Sequence, residues 1–319
     1  WTYSNNCSTL AASCSTTHLP LSRGRHMVTV IQSPEDMSTL ADQLRSRGNR
    51  LGFVPTMGAL HEGHMSLVRR SVRENDVTVV SIFVNPTQFD EQDDFDSYPR
   101  NIESDLQQCE QEEVDFAFVP DAKDIYLDDT TEARFWVEVA GDATETLCGL
   151  SRPGHFRGVM TVCAKLFNIV QPHVAYFGQK DYQQFLLMRK MVQSMHFNLE
   201  LALCPIVRGP QGLALSSRNS HLDKRQKADA LCLFNALEKA RSAVLNGETD
   251  ANKLTKVMAE TILAEGADLD YAIVADPETL EDVKTVSSTV LLAVAAVVGD
   301  VRLIDNCLVE PPSPTSETL

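Results

Sequence analysis

From Met27 to Ile206, short apolar runs alternate with longer segments in which apolar residues return every third or fourth position. The runs Val28–Ile31, Leu51–Val54, Val77–Val84, Val114–Val119, Val174–Phe177 and Leu199–Cys204 read as strands. Val77–Val84 is nearly all apolar and rich in β-branched residues, as suits a strand covered on both faces. Between the runs lie predicted helices. Ser33–Pro34 caps one that reaches Arg47, since a serine side chain satisfies a free N–H of the first turn and proline has none to leave unpaired. Others are Gly63–Glu74, Asp181–Met195 and Arg157–Val170, the last with Val159, Val162, Leu166 and Ile169 on one face. This alternation predicts an α/β fold, a Rossmann-like doubly wound parallel sheet that binds ligands at the carboxyl ends of its strands.

After residue 207 the pattern changes. Two helices, Asp223–Leu245 and Asp250–Glu265, are joined by Asn246–Gly247. Three strand-like runs follow, Leu269–Val274, Val290–Val298 and Val301–Leu308, with Gly299–Asp300 as a hairpin turn between the last two. Helices followed by an antiparallel meander predict a smaller C-terminal α+β domain. The expected organisation is a tail over 1–26, a Rossmann-like domain over 27–206, an α+β domain over 207–310 and a flexible end over 311–319. Residues 1–24 are rich in Ser, Thr, Asn and Cys and lack acidic residues, so 1–26 reads as a disordered, targeting or tag-like extension, with Met27 a natural start. The end is rich in Pro and Ser. No internal repeat is visible.

Composition narrows the partners. A formal net charge of −16 over 319 residues argues against nucleic acid and anionic membrane surfaces, which need a basic footprint. No apolar run has the length of a membrane span. An acidic chain that binds a phosphorylated ligand must gather its cations locally and use a divalent cation. The eight cysteines are scattered without a CxxC pair, several of them in apolar runs, which reads as free thiols in a reducing compartment.

Chemistry concentrates where strands end. Phe53–His64 joins a strand to a helix through Pro55, Thr56, Met57 and Gly58, with His61 and His64 at the helix start. The first N–H groups of a helix lack internal partners and its dipole favours an anion, so this is a phosphate-gripping arrangement to which two imidazoles add donors able to carry positive charge when a phosphate is near. A zinc site is disfavoured, because the metalloprotease spacing is four and here it is three. Asn85, Pro86, Thr87 and Gln88 end the next strand, and amides there suit reading a hydroxyl and a carboxylate without fixed charge. In Gly178–Gln184, Lys180 offers an ammonium to phosphate oxygens, Asp181 either caps the helix or holds a ribose, and Gln184 lies one turn on. Ser216, Ser217 and Arg218 could clamp a triphosphate or form only a serine turn. Asp93, Asp94 and Asp96 form either a solvated loop or a place for one Mg²⁺ carboxylate.

His61–Glu62–Gly63–His64 looks like the HxGH signature of the nucleotidylyltransferase superfamily. HxGH, Asn85–Phe89, Arg152–Val159, Gly178–Gln184 and Ser216–Asn219 occur in this order, and over 27–308 the chain resembles the pantoate–β-alanine ligase (pantothenate synthetase) family. The resemblance implies an adenine nucleotide alpha hydrolase-like domain and ATP-dependent condensation of pantoate with β-alanine through a pantoyl adenylate. AMP and pyrophosphate are then the by-products, Mg²⁺ the cofactor and a cytoplasmic homodimer the setting. It places His61, His64, Lys180, Ser216, Ser217 and Arg218 on the phosphates as catalytic groups, and Met57, Gly58, Gly178, Asp181, Val207 and Leu215 along the ATP. Pantoate falls to Pro55, Thr56, Met57, Asn85, Gln88 and Gln184, with Asn85 near the reacting groups and Asp94 on the metal. The C-terminal domain would act as a lid. Two departures stand out: Gly209–Pro210–Gln211 where the family carries an acidic residue, and His173 where it favours aspartate, expected to be structural. The competing readings are adenylylation of a phosphate ester, which needs more basic residues, and a non-catalytic nucleotide sensor, which would not need His64 and Lys180.

Overall fold

The computed structural model describes residues 27–90, 92–126, 135–140 and 144–312. The expected tail over 1–26 and all but the first two residues of the expected flexible end lie outside them.

The first sheet is built from β1 (Thr29–Ile31), β2 (Leu51–Thr56), β3 (Val77–Ile82), β4 (Phe116–Phe118), β5 (Val174–Gly178) and β6 (Glu200–Cys204). All its pairings are parallel and the order is β1-β4-β3-β2-β5-β6. Its helices are α1 (Pro34–Ser46), α2 (Glu62–Glu74), α3 (Gln92–Ser97), α4 (Ile102–Gln111), α5 (Ala122–Tyr126), α6 (Cys148–Ser151), α7 (His155–Val170) and α8 (Tyr182–Ser194). Successive strand residues point to opposite faces. Phe53 and Val79 therefore enter a core with Met37 of α1, Phe167 of α7 and Met188 of α8, whereas Val54 and Val80 enter a second core with Leu67 and Val68 of α2 and Cys109 of α4. The chain steps from β2 outward through β3 and β4, then returns to the other side of β2 with β5. That reversal opens a crevice beyond the ends of β2 and β5, where open α/β sheets bind ligands.

Periodicity located most of these elements. Strand β3 stops at Ile82, two residues short of the expected end, because Asn85 starts a 3₁₀ turn over Pro86–Gln88. Helix α7 begins at His155 rather than Arg157. It lies directly on that turn, because a Cβ built on Gly158 would stand 2.1 Å from the Thr87 carbonyl oxygen. Gly158→Ala is accordingly expected to destabilise the fold by about 1–3 kcal/mol, as overpacking does. Denaturant unfolding would measure it, and an unchanged midpoint would mean that α7 slides without strain.

The C-terminal part comprises α9 (Lys224–Asp229), α10 (Leu231–Leu245) and α11 (Ala251–Ala264), then an antiparallel sheet of β7 (Asp268–Ala275), β8 (Val290–Val298) and β9 (Val301–Val309). Gly299 turns the hairpin with φ +62°. The helix expected over 223–245 is divided at Ala230. The polar α9 buries no side chain, while α10 sinks Cys232, Leu233, Ala236, Leu237, Ala240 and Val244 against the sheet, so the two pieces answer to different surroundings. The two sheets meet along α8, where Tyr182 and Leu186 pack on Leu280, Leu291 and Ala293, and the Tyr182 hydroxyl donates to the Pro277 carbonyl at 3.1 Å.

Candidate active site

The loop from β2 to α2 is held from below. Thr56 Oγ1 donates to the Ser81 carbonyl (2.6 Å) and accepts the Gly58 N–H (3.1 Å), while Gly58 turns with φ +80°. The buried Asp105 of α4 accepts the N–H groups of Ala59 (3.0 Å) and Leu60 (2.8 Å). Burial raises its pKa, which those two donors counter. His61 is the N-cap of α2, and its Nδ1 accepts the Gly63 N–H at 3.1 Å. A neutral His61 therefore carries its proton on Nε2.

The His61 and His64 rings lie 4.1 Å apart between centroids. Burial, then the Lys180 ammonium, brings His61 down to about 4; burial, then His61, brings His64 to about 3. Both are thus neutral N–H donors at physiological pH in the free protein, and gain charge only if a phosphate compensates it, as the sequence suggested. His64 Nδ1 is buried with no hydrogen bond among the described residues.

At the end of β3, Asn85 is an organiser. Its Oδ1 accepts from Thr87 N (3.3 Å), Thr87 Oγ1 (3.0 Å) and the Tyr126 hydroxyl (2.6 Å); its Nδ2 donates to Gln88 Oε1 (3.0 Å) and the Gly158 carbonyl (3.3 Å). With its amide so committed, Asn85 both lines the crevice and orients Gln88 within it. Gln88 is aimed by Asn85 on one side and by Met57 Sδ, 2.9 Å from its Nε2, on the other. Across the cleft the Gln184 amide makes no hydrogen bond among the described residues and lines the same space. Its neighbour Gln183 is structural, bonded to Cys148 N and the Thr146 carbonyl.

Lys180 sits in a 3₁₀ turn over Gln179–Asp181, with Nζ 3.6 Å from Asp181 Oδ1. Asp181 makes no capping hydrogen bond to α8, so the capped-helix reading fails and the carboxylate is left facing the cleft. The turn's backbone is fixed from the second sheet, because Asn306 Nδ2 donates to the carbonyls of Gln179 and Lys180, each at 3.0 Å. Ser216 Oγ accepts the Arg218 N–H (3.3 Å), so the serine turn does form, and it carries Ser216, Ser217 and Arg218 to the cleft wall. Tyr98 lines the cleft with Ser217, and burial raises its pKa, which Ser217 counters. Arg218 pairs with Asp94 of α3 at 3.5 Å. Asp93 and Asp96 are exposed, as expected of most of that acidic run.

The departure at Gly209–Gln211 is absorbed locally. Arg208 and Ala214 form a bridge, the Leu215 N–H reaches the Val207 carbonyl (3.0 Å), and Arg208 binds the buried Asp305 with both Nη atoms (2.6 and 2.9 Å). His173 accepts the Leu51 N–H on Nδ1 (3.0 Å), a structural role as expected.

These groups line one open cleft. Pro55, Thr56, Met57, His61 and His64 line one side, Asn85 and Gln88 the floor, and Gly178, Lys180, Asp181, Gln184, Val207, Leu215, Ser216, Ser217 and Arg218 the other side. Gly58 and Asp94 do not line it; Gly58 shapes the loop behind and Asp94 reaches it through Arg218. Sequence reasoning gave no role to Asp105, Tyr98, Arg152 or His155. The only signal was the Arg152–Val159 run, whose glycine and histidine are explained by α7 packing on the 3₁₀ turn. Among the described residues no group of three or more His, Cys, Asp or Glu could hold a metal ion, and no helix is long and apolar enough to cross a membrane.

Neutral imidazoles, an ammonium and paired hydroxyls sharing a cleft with Gln88 and Gln184, all at the switch point of a parallel sheet, fit an ATP-using enzyme that acts on a small polar acid. The family model described as pantoate-beta-alanine ligase matches residues 29–308. A pantothenate synthetase from Thermotoga petrophila is 48% identical over 280 residues, covering 88% of this chain and 99% of its own, and one from Acetivibrio thermocellus is 48% identical over 282 residues with the same coverage. The crystal structure of pantothenate synthetase from Thermus thermophilus superposes with a TM-score of 0.84 at 37% identity, covering 89% of this chain and all of its own. The pantoate–β-alanine ligase from Francisella tularensis, complexed with β,γ-ATP and β-alanine, gives 0.71 at 35% identity, covering 88% and 97%. The chain belongs to the pantoate–β-alanine ligase family. It is an ATP-dependent ligase that forms pantothenate.

Proposed function

We propose that the reaction runs in two steps within the cleft. A pantoate carboxylate oxygen attacks the α-phosphorus of ATP and pyrophosphate leaves. The free amine of β-alanine then attacks the acyl carbon of the adenylate, AMP leaves with the bonding pair, and the nitrogen gives up a proton. Adenylation is needed because a free carboxylate has only oxide to expel. One observation carries this reading: the candidate phosphate-binding groups and the amides of Gln88 and Gln184 line a single cleft.

His61, His64, Lys180, Ser216, Ser217 and Arg218 bind the phosphates and meet the charge that moves toward pyrophosphate. Gln88 and Gln184 hold pantoate, and Asp181 and Gly178 border the nucleoside. Positioning and charge stabilisation supply the catalysis, since no nucleophile–base pair of the enzyme is required. Mg²⁺ needs one or two carboxylates plus phosphate oxygens, so Asp94 fits an ion that arrives with ATP, in exchange for its bond to Arg218. When bound, that ion supplies further charge neutralisation on the triphosphate.

The units 27–206 and 207–310 act as nucleotide domain and lid, the lid rocking on the α8 seam and shielding the adenylate from water. The working form is a homodimer of the cytoplasm, where the buried free thiols of Cys109, Cys163, Cys204 and Cys232 stay reduced.

Pyrophosphate release from ATP, Mg²⁺ and pantoate, without and then with β-alanine, tests the scheme. Release with pantoate alone, followed by AMP and pantothenate on adding the amine, is the expected result; release that requires β-alanine would refute the adenylate. Gln88→Ala is expected to raise the KM for pantoate by about tenfold or more while ATP binding persists, as loss of a buried hydrogen-bonding partner does. A normal pantoate saturation curve would remove Gln88 from that role.

A further inference from the structure

Successive residues of β9 point to opposite faces. Leu303 and Cys307 enter the core under α10 and α11, while Leu308 packs toward α8. Asp305 lies between Leu303 and Cys307 on that apolar face and is only 3% exposed. A buried ion pair is a weak source of net stability, because desolvation offsets most of its attraction. What the pair of Asp305 with Arg208 supplies is therefore geometry, and that geometry leads to two segments of the cleft.

Asp305 holds the first of them. Its carboxylate takes both Nη atoms of Arg208, whose guanidinium lies over the Phe234 ring of α10 (4.9 Å) and donates from Nη1 to the Gly212 carbonyl (3.0 Å). Gly212 is seated on the same ring, with φ +105°, and a Cβ built there would stand 2.3 Å from Phe234. The hairpin so fixed closes through the Arg208–Ala214 bridge and the bond from Leu215 N–H to the Val207 carbonyl, and Ser216, Ser217 and Arg218 follow directly. The next residue of β9 holds the second segment. Asn306 Nδ2 donates to the carbonyls of Gln179 and Lys180, and its Oδ1 accepts from Gln179 Nε2 at 3.3 Å. The two holds are locked together, since Asp305 Oδ1 also accepts the Asn306 N–H at 2.7 Å. Burial raises the Asp305 pKa, and the cations of both segments counter it, Arg208 first and Lys180 after it.

We propose that Asp305 and Asn306 are positioning residues for adenylate formation: this dipeptide of β9 sets the spacing between Lys180 and Ser216–Arg218, so that one triphosphate meets both. This rests on the two-step reading above. Asn306 acts through the main chain of the Lys180 turn, and Asp305 acts through Arg208. A misplacement of about 1 Å at such a centre costs on the order of a hundredfold in rate.

Single-turnover pyrophosphate release with ATP, Mg²⁺ and pantoate tests the proposal, with rate constant and amplitude read separately. Asn306→Ala should lower the rate constant by about tenfold to a hundredfold and leave the amplitude near that of the wild type. Because it acts through Lys180, the same change should cost less than about twofold in a Lys180→Ala background. Arg208→Lys keeps a charge beside Asp305 but loses the fork. It should slow release by about tenfold in the wild type and by a similar factor in Lys180→Ala, since it acts through the other segment. A full effect of Asn306→Ala in Lys180→Ala, or a lowered amplitude with an unchanged rate constant, would mean that β9 only stabilises the fold and would overturn the proposal. A wild-type rate in Arg208→Lys would overturn it too. A wild type that releases pyrophosphate only with β-alanine present would refute the two-step scheme, and the same comparison made with all three substrates would then decide the roles of Asp305 and Asn306.

Discussion

Replacing Lys180 by alanine is expected to slow adenylate formation by about 10²–10³-fold, close to the loss of one preorganised donor at a centre of developing charge. Charge builds on the departing pyrophosphate, and a group worth having there is one already in place. Lys180 meets that condition because its backbone carbonyl is held by Asn306 and its ammonium stands near Asp181 without the contact distance of a tight ion pair. The change should leave the fold intact, since the turn is fixed through main-chain atoms. Single-turnover pyrophosphate release with ATP and pantoate measures the effect, beside a denaturation curve that should not move. An unchanged rate would take Lys180 off the phosphates.

The second large effect is acid lability. His64 and His155 have folded-state pKa values of about 3 and about 4, both pushed down mainly by burial. A histidine whose pKa falls on folding binds fewer protons in the native state, so its contribution is complete above the unfolded value of about 6.5 and is lost as pH drops below it. Each such group removes about 1.4 kcal/mol per pH unit in that window. From pH 6.5 to pH 5 the two together remove about 3 kcal/mol, a large share of the margin of an ordinary domain. His61, more open to solvent, adds less. The unfolding midpoint in urea should therefore fall steeply between pH 7 and pH 5, and the double variant His64→Gln, His155→Gln should flatten the curve. Equal stability at the two pH values would mean that the rings protonate in place.

Much of this was legible because the hydrophobic period changes with the element. The alternation across Leu51–Val54 and the helical stripe of Arg157–Val170 depend on local spacing alone, and they place β2, α7 and the glycine turn between strand and helix. The site residues in HxGH and Gly178–Gln184 were legible for the same reason, since each follows a strand. What spacing cannot carry is a partner distant in sequence. Nothing around Asp105 announces that its carboxylate holds the loop at Ala59, and nothing in Arg152 alone reveals that it meets His155 and the Gln88 carbonyl. The break at Ala230 was hidden as well, because no proline or glycine marks it and the cause is the difference in what α9 and α10 pack against. How far the histidine pKa values fall in the free protein was not legible either, because burial, which sets them, is a property of the whole fold.

Asn306 bears on how such a protein can be taken apart. It lies on the last strand of the second sheet, yet its side chain fixes the turn that carries Lys180 on the first. A chimaera that takes the residues after β6 from a relative would therefore loosen the turn that carries Lys180, unless an amide of the same reach returns to that position.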